Sequence, residues 1–149
     1  MEIRNVRISD FFRFNAMDWS PLPRERDSIY LLICASQAGC SFVAEESGEF
    51  LGVLLATRSA DGRSVYCNHL LVAESARGGG VGSALIERFE SSAAAAGIET
   101  IWFHCQSETV EYYQKKGYRE SYELFPELED YLRRTKKVHT MVKHIAPGA

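Results

Sequence analysis

Apolar and polar residues alternate from Ile3 to Ile8, which predicts a short strand. Ser9 and Asp10 then read as a helix start, because short polar side chains accept hydrogen bonds from the unpaired N–H groups of a first turn. Trp19-Ser20-Pro21-Leu22-Pro23 breaks that helix. Asp27 or Ser28 caps a second helix running to about Gln37, with Gly39 as its stop; Ile29, Leu32, Ile33 and Ser36 carry the helical spacing. Ser41 to Glu45, Phe50 to Arg58 and Ser64 to Val72 form an antiparallel meander, its second hairpin marked by Asp61-Gly62.

Val81, Leu85, Phe89, Ala93 and Ala96 then line one face of a long helix that Gly97 ends. Thr100 to Cys105 is a buried strand, Thr109 to Lys116 a short helix closed by Gly117, and Tyr118 to Leu124 and Val138 to His144 two last strands. The acidic and then basic stretch between those two predicts a solvated helix with Phe125, Leu128 and Leu132 on its buried side. The order β-α-α-β-β-β-α-β-α-β-β predicts an α/β (α+β) fold: a mixed, mainly antiparallel central sheet with helices on both sides.

Composition narrows the function classes. The 149 residues fit one domain, 1–149, and 46% hydrophobic with 25% charged residues excludes a disordered or fibrous chain. A net charge of −3 disfavours a nucleic-acid binder. The longest apolar run, Ile29 to Ala35, falls far short of the ~18 residues a membrane span needs. The N-terminus lacks a signal-peptide core, so the expected compartment is the cytoplasm. Cys34, Cys40, Cys67 and Cys105 form no C-x-x-C pair and read as reduced, small apolar residues, with no metal site.

One local excess stands out: Gly78, Gly79, Gly80 and Gly82 lie within five residues, between a strand and the long helix. Helix-initial N–H groups have no intrahelical partner, and the helix dipole adds positive potential there. Glycines let a phosphate approach the backbone unhindered. Arg77 to Ser83 therefore reads as a phosphate or pyrophosphate cradle, with Arg77 able to add a charged contact. A nucleoside-triphosphate loop would need a lysine after the last glycine, where Ser83 stands; a dinucleotide fold would need a third glycine at Ser83, within a parallel β-α-β unit.

Arg77-Gly78-Gly79-Gly80-Val81-Gly82 resembles the R/Q-x-x-G-x-G/A loop of the GCN5-related N-acetyltransferase (GNAT) superfamily. Leu70-Leu71-Val72 is similar to the apolar end of that family's fourth strand, and Tyr112-Tyr113-Gln114-Lys115-Lys116-Gly117-Tyr118 to its (L/F)-Y-x-x-x-G-(F/Y) stretch. The resemblance spans nearly the whole chain. It implies transfer of an acetyl group from acetyl-CoA to a primary amine of a small molecule or protein, without a metal, nucleic acid or membrane partner. Many relatives pair as dimers.

By similarity, the backbone at Leu71 and Val72 would pair with pantetheine amides, while Arg77, Gly78, Gly79, Gly80, Val81, Gly82 and Ser83 would hold the pyrophosphate. Tyr113 would protonate the leaving thiolate as general acid, with Tyr112 in the core. Gln106 stands where many relatives have Asn, and Thr109 where a small residue is usual.

The general base is open at this stage. Tyr66 and Asn68 occupy the matching inward positions, and neither is a good base. His69 has a suitable pKa but lies on the opposite face from Asn68 unless a bulge re-aims it. His104 reads as structural, and a water chain polarised by Asn68 is equally open. The acceptor groove would lie between residues 17–26 and 125–137, where Arg24 and Arg26 are either carboxylate ligands or solvated charges. A non-catalytic CoA-binding module on the same fold is the alternative reading.

Overall fold

The long helix α3 (Val81–Ala95) lays Val81, Leu85, Ile86, Phe89 and Ala93 on one face of a seven-stranded sheet in a computed structural model that describes residues 1–146. The strands are β1 (Glu2–Asn5), β2 (Phe42–Glu46), β3 (Glu49–Arg58), β4 (Ser64–Val72), β5 (Thr100–Cys105), β6 (Arg119–Glu120) and β7 (His139–His144). Their spatial order is β1-β2-β3-β4-β5-β7-β6. Every neighbouring pair is antiparallel except β4 and β5. The mixed, mainly antiparallel sheet flanked by helices is thus as the pattern predicts.

The opposite face is covered by α1 (Asp10–Ala16) and α2 (Asp27–Ser36), which bury Phe14, Tyr30 and Ile33 against Val43, Val53, Leu55 and Leu71. The connection between them contributes Trp19, whose indole N–H donates to the Phe14 carbonyl at 2.8 Å. The last helix, α4 (Val110–Gln114), is short and follows a single 3-10 turn at Ser107–Thr109.

Several expectations are corrected. Ser9 gives α1 no side-chain cap; Asp10 turns back and accepts from the Arg7 N–H at 2.7 Å. Ala96 lies past the helix end and is exposed, its carbonyl taken by Arg58 at 2.9 Å. The strand expected over Tyr118 to Leu124 shrinks to Arg119–Glu120, because a turn from Tyr122 to Phe125 takes the chain off the sheet. The helix expected between the last strands forms as one irregular run, tight at Pro126–Leu128, passing through Glu129 and Asp130 and widening at Tyr131–Thr135, but Leu128 is exposed where a buried position was expected. No helix among the described residues is long and apolar enough to cross a membrane.

Two irregularities position the site. The parallel pairing of β4 with β5 covers only Ser64 to Tyr66 against Thr100 to Trp102, so the strands part beyond those residues and leave a gap in mid-sheet. On its other side β4 carries a bulge: Leu55 pairs with His69 and Ala56 with Cys67, leaving Asn68 as the extra residue. A one-residue insertion inverts which face later side chains take. Val65 and Cys67 face α3, but beyond the bulge Leu70 and Val72 do, and His69 and Leu71 turn to the α1–α2 face.

Candidate active site

The glycine loop is built as an open cradle. Gly78 and Gly80 have φ of 83° and 84°, a left-handed conformation that side chains resist, and a Cβ at either would meet only open space. Gly80 stands just before α3, and no side chain caps that helix, so its leading N–H groups are available to an anion. Arg77 plays a part the pattern did not suggest. Its Nε donates to the Val72 carbonyl at 3.1 Å, pinning the loop to the end of β4.

The backbone at the gap follows strand alternation. The Ala73 N–H reaches the Leu51 carbonyl on β3, so the groups of Leu71 also face β3, while those of Val72 face the gap that β5 has vacated. Val72, rather than Leu71, thus turns its N–H into the gap, its carbonyl being held by Arg77.

Across the gap stands α4. Tyr113 is half-buried, edge-on to Phe103 at 4.6 Å, and its hydroxyl has no hydrogen-bond partner among the described residues. Burial, with smaller contributions from Cys67 and Cys105, pushes its phenol above the usual range, so it is protonated at neutral pH. Gly117 takes φ of 93° and closes the helix. Tyr112, expected in the core, is instead exposed across the start of α3. Lys116 lies over the Tyr112 ring at 5.0 Å and donates to the Ser83 hydroxyl at 2.9 Å. This brings a cation to the first turn of α3, a contact no sequence motif announced. The Gln106 side chain is exposed, and its backbone carbonyl accepts from Thr109.

On the α1–α2 face the bulge brings His69 round beside Asn68. The imidazole is buried, tilts against Trp19 at 5.3 Å, and its Nε2 has no hydrogen-bond partner. Oε1 of Glu25, from the α1–α2 connection, lies 3.6 Å from Nε2, too long for a hydrogen bond. Burial pulls the His69 pKa below its ordinary value, opposed by Glu25 and the Asn68 backbone, so the ring is neutral and free to accept a proton at pH 7. The Asn68 side-chain Oδ1 accepts from the Thr57 hydroxyl at 2.7 Å. His104 is held through Nδ1 to Thr140 at 3.1 Å. Sequence reasoning missed Glu25, which sits in a charged loop without periodicity.

The four thiols are free. Burial pushes Cys34 up to about 11 and Cys67 up to about 12. Among the described residues no group of three His, Cys, Asp or Glu side chains is placed to hold a metal ion.

A family model described as Acetyltransferase (GNAT) family matches residues 2–118. The chain belongs to that family. The GNAT fold also appears in solved structures that share little sequence. Ard1 from Thermoplasma volcanium superposes with a TM-score of 0.77 at 16% identity, covering 97% of each chain. Diaminobutyrate acetyltransferase EctA from Paenibacillus lautus, solved with L-2,4-diaminobutyric acid and coenzyme A, gives 0.72 at 21% identity over 98% of this chain and 94% of that one. N-acetylglutamate synthase from Neisseria gonorrhoeae, solved with coenzyme A and N-acetyl-glutamate, gives 0.74 at 22%, over 96% of this chain but 34% of that one. No curated protein sequence matches this chain.

Proposed function

We propose that the protein is an N-acetyltransferase that passes an acetyl group from acetyl-CoA directly to a primary amine. The observation that supports this best is the gap between β4 and β5, which has an uncapped helix start at its end, a protonated Tyr113 on one face and an unpartnered neutral His69 on the other. Binding of coenzyme A in two structural relatives agrees with it.

Acetyl-CoA supplies a thioester acetyl group. The N–H groups of the Gly78–Ser83 loop bind pyrophosphate oxygens, Lys116 adds positive charge, and Val72 offers its N–H to the pantetheine arm. Counted from its ammonium form, the acceptor nitrogen sheds two protons. His69 takes the first through Nε2 and passes it to solvent past Glu25, leaving the nitrogen lone pair free to form the new C–N bond. Tyr113 delivers its hydroxyl proton to the departing sulfur and regains one from the acylated nitrogen, so that no phenolate accumulates. Asn68 orients a water beside His69. Residues 1–149 act as one such domain.

Release of CoA thiol on adding amines to protein and acetyl-CoA tests the reading. Thiol release that depends on both amine and His69 is the expected result. Tight CoA binding with no turnover of any amine would make the protein a binding module instead.

A further inference from the structure

The acceptor side of the gap has a distinctive lining. Tyr66 and Trp102, the last paired residues of β4 and β5, meet at a tilt of 54° with ring centroids 4.5 Å apart. His104 lies 5.8 Å and 5.7 Å from those rings, and Phe125 meets Trp102 edge-on at 5.3 Å. All four are only partly buried, so this wall keeps an open aromatic surface. Trp19, buried and stacked on Tyr30 at 5.1 Å, backs the His69 ring from the core.

Charge on this side is one-signed near the reacting groups. Glu25 lies by His69 and close enough to Tyr66 to add, after burial and Cys67, to the rise of its phenol. The nearby cations are largely engaged. Arg24 donates to Asn15 and Asp27 and lies over the Tyr30 ring at 5.5 Å. Arg133 is held by Glu120 and Glu129, and Arg134 by Asp130. Lys136 lies over Tyr131 at 5.9 Å, and Arg26 and Lys137 are exposed to solvent. An ammonium is drawn to Glu25 and to aromatic faces, whereas a carboxylate beside the nitrogen meets Glu25 as a like charge and loses water against aromatic rings.

Resting on the acetyltransferase reading, we propose that this side selects a primary amine bearing an aromatic group and no carboxylate next to the nitrogen. Both a free arylalkylamine and a peptide N-terminus with an aromatic first residue have that chemistry. The ring packs on Tyr66, Trp102 and Phe125, and the nitrogen sits against the Glu25 carboxylate, next to His69. The two structural relatives solved with carboxylated amino-acid ligands would differ from this chain in that respect.

The test compares four amines in CoA release: 2-phenylethylamine, a pentapeptide beginning with Phe, glutamate and 2,4-diaminobutyrate. Either aromatic amine is expected to exceed both amino acids by about tenfold or more in kcat/KM, and the better of the two identifies the source. A carboxylated amine turned over best overturns the proposal while leaving the acetyltransferase reading intact. If no amine releases CoA, that reading fails, and calorimetry decides the pocket by titrating 2-phenylethylamine into protein with desulfo-CoA. Binding that weakens about tenfold in Trp102→Ala and in Phe125→Ala supports the aromatic site. No binding, or binding that neither variant changes, overturns it. Phe125 lies in a loop, so its variant keeps the test usable if Trp102→Ala does not fold.

Discussion

Nε2 of His69 lies 3.6 Å from Oε1 of Glu25, an approach made possible by the extra residue Asn68 in β4. A protonated imidazole cannot accept the acceptor's proton, so kcat/KM falls as the pH drops through the lowered His69 pKa. His69→Gln should lose about 10²-fold or more of kcat/KM at neutral pH and the acidic limb with it. Glu25 raises that pKa, so Glu25→Gln should move the limb to lower pH. Activity profiles from pH 5 to 9, at roughly unit intervals around the ordinary imidazole value of ~6.5, would show both effects. A His69→Gln profile superimposable on wild type would remove His69 from the chemistry.

Tyr113→Phe keeps the ring packed on Phe103 and deletes only the hydroxyl. It should lower kcat by about 10²-fold and leave CoA affinity unchanged. Tyr112→Phe, altering a hydroxyl on the exposed neighbour, should leave kcat near wild type. Steady-state kinetics with calorimetric CoA titration would separate the two.

Lys116 reaches Ser83 at 2.9 Å, and a cation there favours a bound anion. Lys116→Met should weaken CoA binding roughly threefold to tenfold and flatten its dependence on salt. Gly80→Ala forces a Cβ into a left-handed conformation, a strain of about 1–2 kcal/mol, and should weaken the same binding. Equal CoA affinity in both variants and wild type would argue against the cradle.

Arg4 binds both oxygens of Asp10 at 2.9 and 3.0 Å and also reaches Glu45 at 2.9 Å, tying β1, α1 and β2 together. Burial disfavours the Asp10 charge, yet the bonds from Arg4 and the Arg7 N–H hold its carboxyl below the usual range. The folded-state value is the lower one. Its stabilisation is therefore fully present above ~4 and fades as the pH falls through the depressed value. Asp10→Asn should cost about 2–4 kcal/mol at pH 7 and blunt the acid sensitivity, both readable from urea melts.

Much of this arrangement is legible in the residue pattern, for local reasons. Positive φ at Gly80, Gly97 and Gly117 marks helix boundaries, and the apolar repeat from Val81 to Ala93 fixes the face α3 buries. The hidden parts depend on tertiary contacts. Alternation assigns His69 and Asn68 to opposite faces, and only pairing with β3 reveals the bulge that brings them together. Glu25 meets His69 across 44 residues of chain, and Lys116 meets Ser83 across 33, with no periodicity to signal either contact. Tyr118 to Leu124 has strand composition, but its tail peels away where Tyr122 turns its hydroxyl to Glu120.

The bulge at Asn68 also divides one strand into two with separate obligations. Before it, odd-numbered positions answer to the packing under α3; after it, even-numbered ones do. Deleting Asn68 would bring Cys67 and His69 into regular succession opposite Ala56 and Leu55, so that both halves keep the faces they now serve. What would go is the Asn68–Thr57 hydrogen bond and the local bend that one surplus residue gives β4 just beyond the point where β5 leaves it. The surplus residue is thus a device for shaping the gap, and the packing on either side of the sheet does not require it.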